Sequence, residues 1–170
     1  YNHLKDAHNR PVPRVPEGRT LAQEGVAAAI DVSDGLVDDV RKMCEASGIG
    51  AALQAHLVPV DDFLKNAYPD DWLDLALNGG EDYELLFTAP RDVAEWVTAE
   101  VDVPITVIGE VTAGGGTVTV LDASGVALDL DCPGCFLLYT SDAADDAYRA
   151  NPRCPLHITN IPHPPLPLAL

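Results

Sequence analysis

The chain has 170 residues, 47% of them hydrophobic, enough to bury one ordinary core. Ten Lys and Arg stand against 27 Asp and Glu, for a formal net charge of −17. With the bases scattered rather than clustered and no apolar run near the roughly 18 residues of a membrane span, neither nucleic acid nor a membrane is an expected partner.

The opening Tyr1-Asn2-His3-Leu4-Lys5 does not read as a signal peptide, and the four cysteines do not form a dense secreted framework. A cytoplasmic protein with reduced thiols is expected. Along the chain, Ala27-Ala28-Ala29-Ile30-Asp31-Val32 reads as a buried strand entering a turn, with Ser33 where a helix N-cap belongs. The next helix places Leu36, Val37, Val40, Met43 and Cys44 at three- and four-residue steps and stops at Ser47-Gly48. Ile49 to Leu57 reads as a strand, Val60 to Ala67 and Trp72 to Leu77 as short helices, and Tyr83 to Thr88 as a second central strand. Arg91 to Glu100 suits a helix with Val93, Trp96 and Val97 inward, followed by a strand over Ile105 to Val111. Thr117–Leu121 and Val126–Leu130 would pair as a hairpin turned by Asp122-Ala123-Ser124-Gly125. Strands alternating with helices predict an α/β or α+β domain in which helices cover a mixed β-sheet.

Composition changes character at Gly134, so residues 1–134 are expected to form the domain. Residues 135–170 are rich in Pro, Ala and Asp without a period, and are expected to be disordered or foreign to the natural protein. Prolines at 152, 155, 162, 164, 165 and 167 oppose a helix or a central strand there. Cys132-Pro133-Gly134-Cys135 and Cys154-Pro155-Leu156-His157 have zinc-like internal spacing, which supports an alternative reading as a non-catalytic metal- or ligand-binding module. Against zinc, the intervening segment lacks the strands with which a zinc ribbon brings its knuckles together.

Two segments carry chemistry. Asp31-Val32-Ser33-Asp34-Gly35-Leu36 lies at a strand-to-helix junction, where carboxylates at a sheet end meet free backbone N–H groups suited to phosphate. Asp31 and Asp34 can ligate Mg²⁺ and Ser33 or its backbone can contact a nucleotide phosphate, with Asp38 and Asp39 extending the acidic stretch. Simple capping of the helix by Ser33 and Asp34 would explain the same residues. In Asn78-Gly79-Gly80-Glu81-Asp82-Tyr83-Glu84 the paired glycines allow close backbone approach, and Glu81 and Asp82 can accept hydrogen bonds from a substrate amine. A tight turn with solvated carboxylates is the plainer alternative.

Ala29-Ile30-Asp31-Val32-Ser33-Asp34-Gly35-Leu36 and Gly79-Gly80-Glu81-Asp82-Tyr83-Glu84-Leu85-Leu86-Phe87-Thr88 together resemble two C-terminal signatures of thiamine-monophosphate kinases. Arg10-Pro11-Val12-Pro13-Arg14-Val15 with Glu17-Gly18, and Ile108-Gly109-Glu110-Val111, resemble their flanks, so the likeness runs from about Leu4 to Gly134. It implies the C-terminal domain fold of aminoimidazole ribonucleotide synthetase-like proteins. It also implies transfer of the ATP γ-phosphoryl group to thiamine monophosphate with Mg²⁺, in a homodimer. By motif position, Asp31 and Asp34 would bind Mg²⁺, Ser33 would contact ATP, and Glu81 or Asp82 would meet the thiamine moiety. An N-terminal domain would precede this one, and the segment alone would be inactive. Where the family closes on a glycine followed by an aromatic residue, this chain runs from Gly134 into Cys135-Phe136.

Overall fold

The computed structural model describes residues 2–130 and 167–169. The chain opens with α1 (Asn2–Asn9) and α2 (Val15–Gln23), which the pattern above does not name. The reason lies in α2 itself, which has a proline in its first turn and buries only Leu21, so no apolar stripe marks it. Then follow β1 (Ala28–Asp31), α3 (Leu36–Ser47), β2 (Gly50–Gln54), a 3₁₀ turn at Ala55–Leu57, α4 (Asp62–Ala67) and α5 (Trp72–Asn78). The second half holds β3 (Leu85–Thr88), α6 (Arg91–Glu100), β4 (Val107–Thr112), β5 (Val118–Leu121) and β6 (Pro167–Ala169).

The strands form one sheet in the order β1-β3-β6-β4-β2-β5. Neighbours are antiparallel except β2 and β5, which run parallel, so the sheet is mixed as expected. Successive side chains of a strand point to opposite faces, and β3 shows it: Leu86 belongs to one core and Phe87 to the other. On the first face α3 lays Leu36, Val37, Val40, Met43 and Cys44 against Ala51, Leu53, Ile108 and Val120. On the second, Leu21 of α2 and Ala94 and Val97 of α6 pack around Phe87. Each fully buried aliphatic side chain here contributes about 1.5–3 kcal/mol relative to exposure.

The stop of α3 falls where Ser47-Gly48 predicts it. Gly48 takes φ 67°, its N–H donates to the Glu45 carbonyl at 3.3 Å, and the Ile49 N–H donates to the Cys44 carbonyl at 3.1 Å. This is a Schellman closure, which needs a residue at ease in the left-handed region. The start differs. Ser33 does not cap α3; Gly35 stands at the N-cap, without a side-chain hydrogen bond.

Other differences have local causes. Trp96, expected inward, is 45% exposed, because the buried line of α6 runs through Ala94 and Val97. The expected strand at Ile49 to Leu57 ends at Gln54 and tightens into the 3₁₀ turn. β3 begins at Leu85 rather than Tyr83, since Tyr83 takes φ 53° and cannot be extended. Val126–Leu130 is not a strand: it turns back on β5 through a single Leu121–Ala127 bridge, with the Leu128 N–H donating to the Val120 carbonyl at 2.8 Å. β6 lies between β3 and β4, with its proline at the first position of the strand, where the missing N–H is tolerated. That central placement departs from what the tail's prolines suggest. Apart from 167–169, the expectation for residues 135–170, the boundary at Gly134 and the Cys132, Cys135, Cys154 and His157 set lie outside the described residues.

Candidate phosphate and metal site

β1 and β3 pair with Asp31 opposite Leu85, which brings the two chemistry-bearing segments side by side at one end of the sheet. Past the strands the backbones continue to join. The Val32 N–H donates to the Glu84 carbonyl at 2.9 Å, the Tyr83 N–H to the Val32 carbonyl at 2.8 Å, and the Glu81 N–H to the Ser33 carbonyl at 2.9 Å. Asp31, Ser33, Asp34, Glu81 and Asp82 therefore share a rim built from segments far apart in the chain. The approach depends on two glycines. A Cβ at Gly80 would stand 2.5 Å from the Ser33 carbonyl oxygen, and one at Gly35 would stand 2.8 Å from that of Asn78. Glu81 and Tyr83 both hold positive φ, 72° and 53°, a conformation that costs an L-residue about 1–2 kcal/mol. The Tyr83 hydroxyl donates to Glu81 Oε2 at 2.9 Å across the bend.

The most buried member of the site is Asp39, 1% exposed. Its Oδ2 accepts the N–H groups of Ser33 at 2.8 Å and Asp34 at 3.0 Å, and its Oδ1 accepts from Lys42 Nζ at 2.8 Å. A buried carboxylate is tolerated only when paired and hydrogen-bonded in this way. The arrangement revises one expectation: the backbone N–H groups of Ser33 and Asp34 are already engaged by Asp39 and are not open to a phosphate. Lys42 also binds Asp34 and lies 3.3 Å from Asp38 Oδ2, while Arg41 holds Asp38 Oδ1 at 2.8 Å. Burial alone would lower the Lys42 pKa, but hydrogen bonds to Asp34 and Asp39, and their charges, outweigh it and raise it above the ordinary lysine value.

Asp31, Asp34, Glu81 and Asp82 are exposed. The Tyr83 phenol is pushed up, first by its hydrogen bond to Glu81 and further by the charges of Asp31 and Asp34. Asp82, although open to solvent by surface area, has a crowded surround that raises its carboxyl, with Glu84 adding and His8 opposing. Behind the rim Arg14 grips Glu84 with two parallel bonds of 2.6 Å, Nε to Oε2 and Nη2 to Oε1, tying the entrance of α2 to that of β3. The bond to Glu84 holds the Arg14 guanidinium above its ordinary pKa. A cavity of about 40 Å³ lies beside this pair, lined by Glu17, Leu21, Phe87 and Val97, and the buried Oε2 of Glu17 has no hydrogen-bond partner among the described residues.

Among the described residues no group of three or more His, Cys, Asp or Glu side chains is arranged to hold a metal ion. Two exposed carboxylates nonetheless fit Mg²⁺, which characteristically takes one or two carboxylates and completes its shell with waters and substrate phosphate rather than a protein cage. No helix among the described residues is long and apolar enough to cross a membrane. Sequence reasoning singled out the five rim residues but missed what supports them. The i, i+3 spacing of Asp39 and Lys42 was the available signal for one ion pair; nothing local points from Arg14 to Glu84, 70 residues away.

Similarity to known proteins agrees with this geometry. The thiamine-monophosphate kinase of Escherichia coli K12 is 38% identical over 133 residues, covering 75% of this chain and 41% of that protein. The thiamine-monophosphate kinase of Methanopyrus kandleri is 39% identical over 117 residues, covering 66% and 36%. The chain thus spans about two fifths of the length of these relatives. Among solved structures, the thiamine-monophosphate kinase of Stenotrophomonas maltophilia K279a superposes with a TM-score of 0.66 at 37% identity, over 75% of this chain and 40% of that one. AaThiL complexed with AMPPCP and TMP superposes with a TM-score of 0.63 at 30% identity, over 76% and 40%. The family described as AIR synthase related protein, C-terminal domain, matches residues 7–122, more than half of the chain, and the chain belongs to that family.

Proposed function

We propose that this chain is the C-terminal domain of a thiamine-monophosphate kinase and supplies part of a site that transfers the ATP γ-phosphoryl group to thiamine monophosphate. The observation that carries the reading is the clasp between the Asp31–Gly35 and Gly79–Glu84 segments, which brings Asp31, Ser33 and Asp34 beside Glu81 and Asp82, the residues to which this reading gives metal, nucleotide and substrate. The relatives' names, and a similar structure complexed with AMPPCP and TMP, support the same substrates.

In such a transfer a phosphate oxygen of thiamine monophosphate bonds to the γ-phosphorus as the bond to the β–γ bridging oxygen breaks, giving thiamine diphosphate and ADP. Both reactants are polyanions, so the protein's work is neutralisation and in-line positioning. Asp31 and Asp34 would hold Mg²⁺, which when bound supplies charge neutralisation at the phosphates. The Ser33 hydroxyl donates to a nucleotide phosphate oxygen, while Asp39 keeps the loop beneath it fixed. Glu81 or Asp82 accepts from the thiamine amine. The remainder of the site belongs to the part of the relatives' length that this chain does not span, in an enzyme that we read as a cytoplasmic homodimer.

The test is ATP- and Mg²⁺-dependent formation of thiamine diphosphate by a chimera in which residues 7–122 of this chain replace the matching stretch of the Escherichia coli K12 relative. Turnover that falls at least about a hundredfold on Asp34→Ala supports the reading. A folded chimera without turnover would return the chain to the class of binding modules.

A further inference from the structure

Three aspartates converge on one ammonium. Lys42 Nζ binds Asp34, lies 2.8 Å from Asp39 Oδ1 and 3.3 Å from Asp38 Oδ2. These partners differ in freedom. Asp39 is buried and held by two backbone N–H groups, so it stays in place, and Asp38 is shared with Arg41. Asp34 precedes the helix and its side chain is 54% exposed; its N–H is held by Asp39, but its carboxylate, among the described residues, by Lys42 alone. Lys42 itself is 41% exposed and carries a flexible four-carbon stem. The link between Lys42 and Asp34 is therefore the one that can open while the rest of the cluster persists.

A carboxylate cannot give its full field to two cations. An ammonium on Asp34 offsets part of the charge that would attract a divalent ion, and sits close enough to repel one on the same group. We propose that Lys42 is a resident counter-ion of Asp34, which must swing off that carboxylate before a divalent cation can bind there. Lys42 thereby weakens capture of a free ion. It favours an ion that arrives with phosphate, because the phosphate gives the released ammonium a new anionic neighbour while Asp38 and Asp39 keep it tethered. This rests on the assignment of Asp34 as a metal ligand, and the experiment separates the two.

Binding of Mn²⁺ alone, as a spectroscopic stand-in for Mg²⁺, is measured by the loss of the free-ion paramagnetic resonance signal on the 170-residue chain and its variants. Lys42→Met should tighten binding about tenfold, the order expected from removing one unit charge about 4 Å away when water screens the pair fully, as it does around a half-exposed side chain. Lys42→Arg, which keeps the charge, should bind as the unaltered chain does, and Asp34→Asn added to Lys42→Met should cancel the gain. Because Lys42→Met leaves the buried Asp39 with one fewer donor, Lys42→Gln is scored in parallel, and each variant is checked by circular dichroism for a cooperative melt. If Asp34→Asn weakens binding but neither Lys42→Met nor Lys42→Gln tightens it, Asp34 stands as a ligand and the counter-ion role is overturned. If Asp34→Asn changes nothing, both fall.

Discussion

Gly80 lies so close to Ser33 that a Cβ on it would stand 2.5 Å from the Ser33 carbonyl oxygen, well inside van der Waals contact. The neighbour is backbone, held by the Glu81 N–H, and cannot swing aside. Gly80→Ala should therefore destabilise the domain by about 1–3 kcal/mol, the usual range for overpacking. Gly115→Ala, where an added Cβ meets nothing within 4 Å, is the control and should stay within about 0.5 kcal/mol. Urea midpoints of the two variants decide the matter, and equal shifts would show that the clasp does not depend on the close approach.

Asp39 and Asp38 are adjacent in sequence but unequal in weight. Asp39→Asn removes a charge that holds two N–H groups and an ammonium in a buried place, and should cost about 2–4 kcal/mol. Asp38→Asn breaks only half-exposed ion pairs and should cost under about 1 kcal/mol. Chemical denaturation of both variants at one pH measures the difference.

Tyr83 offers a pH probe of the rim. Its folded pKa is raised, first by the hydrogen bond to Glu81, so the protonated phenol is what the fold favours. That contribution is fully present below the unfolded tyrosine pKa and is lost as pH rises through the higher folded value. Phenolate absorbance of the unaltered chain minus that of Tyr83→Phe should show a transition above the ordinary tyrosine range. Glu81→Gln should bring it back down.

The cavity beside Arg14 suggests a stabilising change. Glu17 Oε2 is buried without a partner among the described residues, in a space walled by Leu21, Phe87 and Val97. Glu17→Met keeps the length of the side chain and removes the unmet oxygen, which should raise stability by about 1 kcal/mol. A lower thermal midpoint for this variant would mean that the carboxylate is satisfied by water.

What could be read from the sequence was mostly what neighbours in the chain decide. The face of α3 and its end at Gly48 follow from helical spacing and from the one residue type at ease at φ 67°. The Asp31–Gly35 and Gly79–Glu84 segments were recognisable, and so was the type of sheet. Beyond reach were features set by contacts across the fold. Ser33 fails as a cap because α3 begins only at Leu36, which puts Gly35 at the N-cap, while the Ser33 backbone is drawn into the clasp through Asp39 and Glu81. The first residues of the expected strand at Tyr83 are bent into the left-handed region by the same union, and periodicity carries no trace of it.

The clasp between Val32 and Glu84 also has a meaning for how the protein is made. Its partners are separated by roughly fifty residues, and joining segments that distant carries a loop-closure entropy that local structure does not repay. Helix α3 closes its backbone bonds within a few residues, so none of them waits for a distant segment. The rim of Asp31, Ser33 and Asp34 has no such independence. A nascent chain that has emerged only as far as α5 holds every aspartate of the first loop yet has nothing to clasp it, and the clasp closes only when β3 arrives to pair with β1.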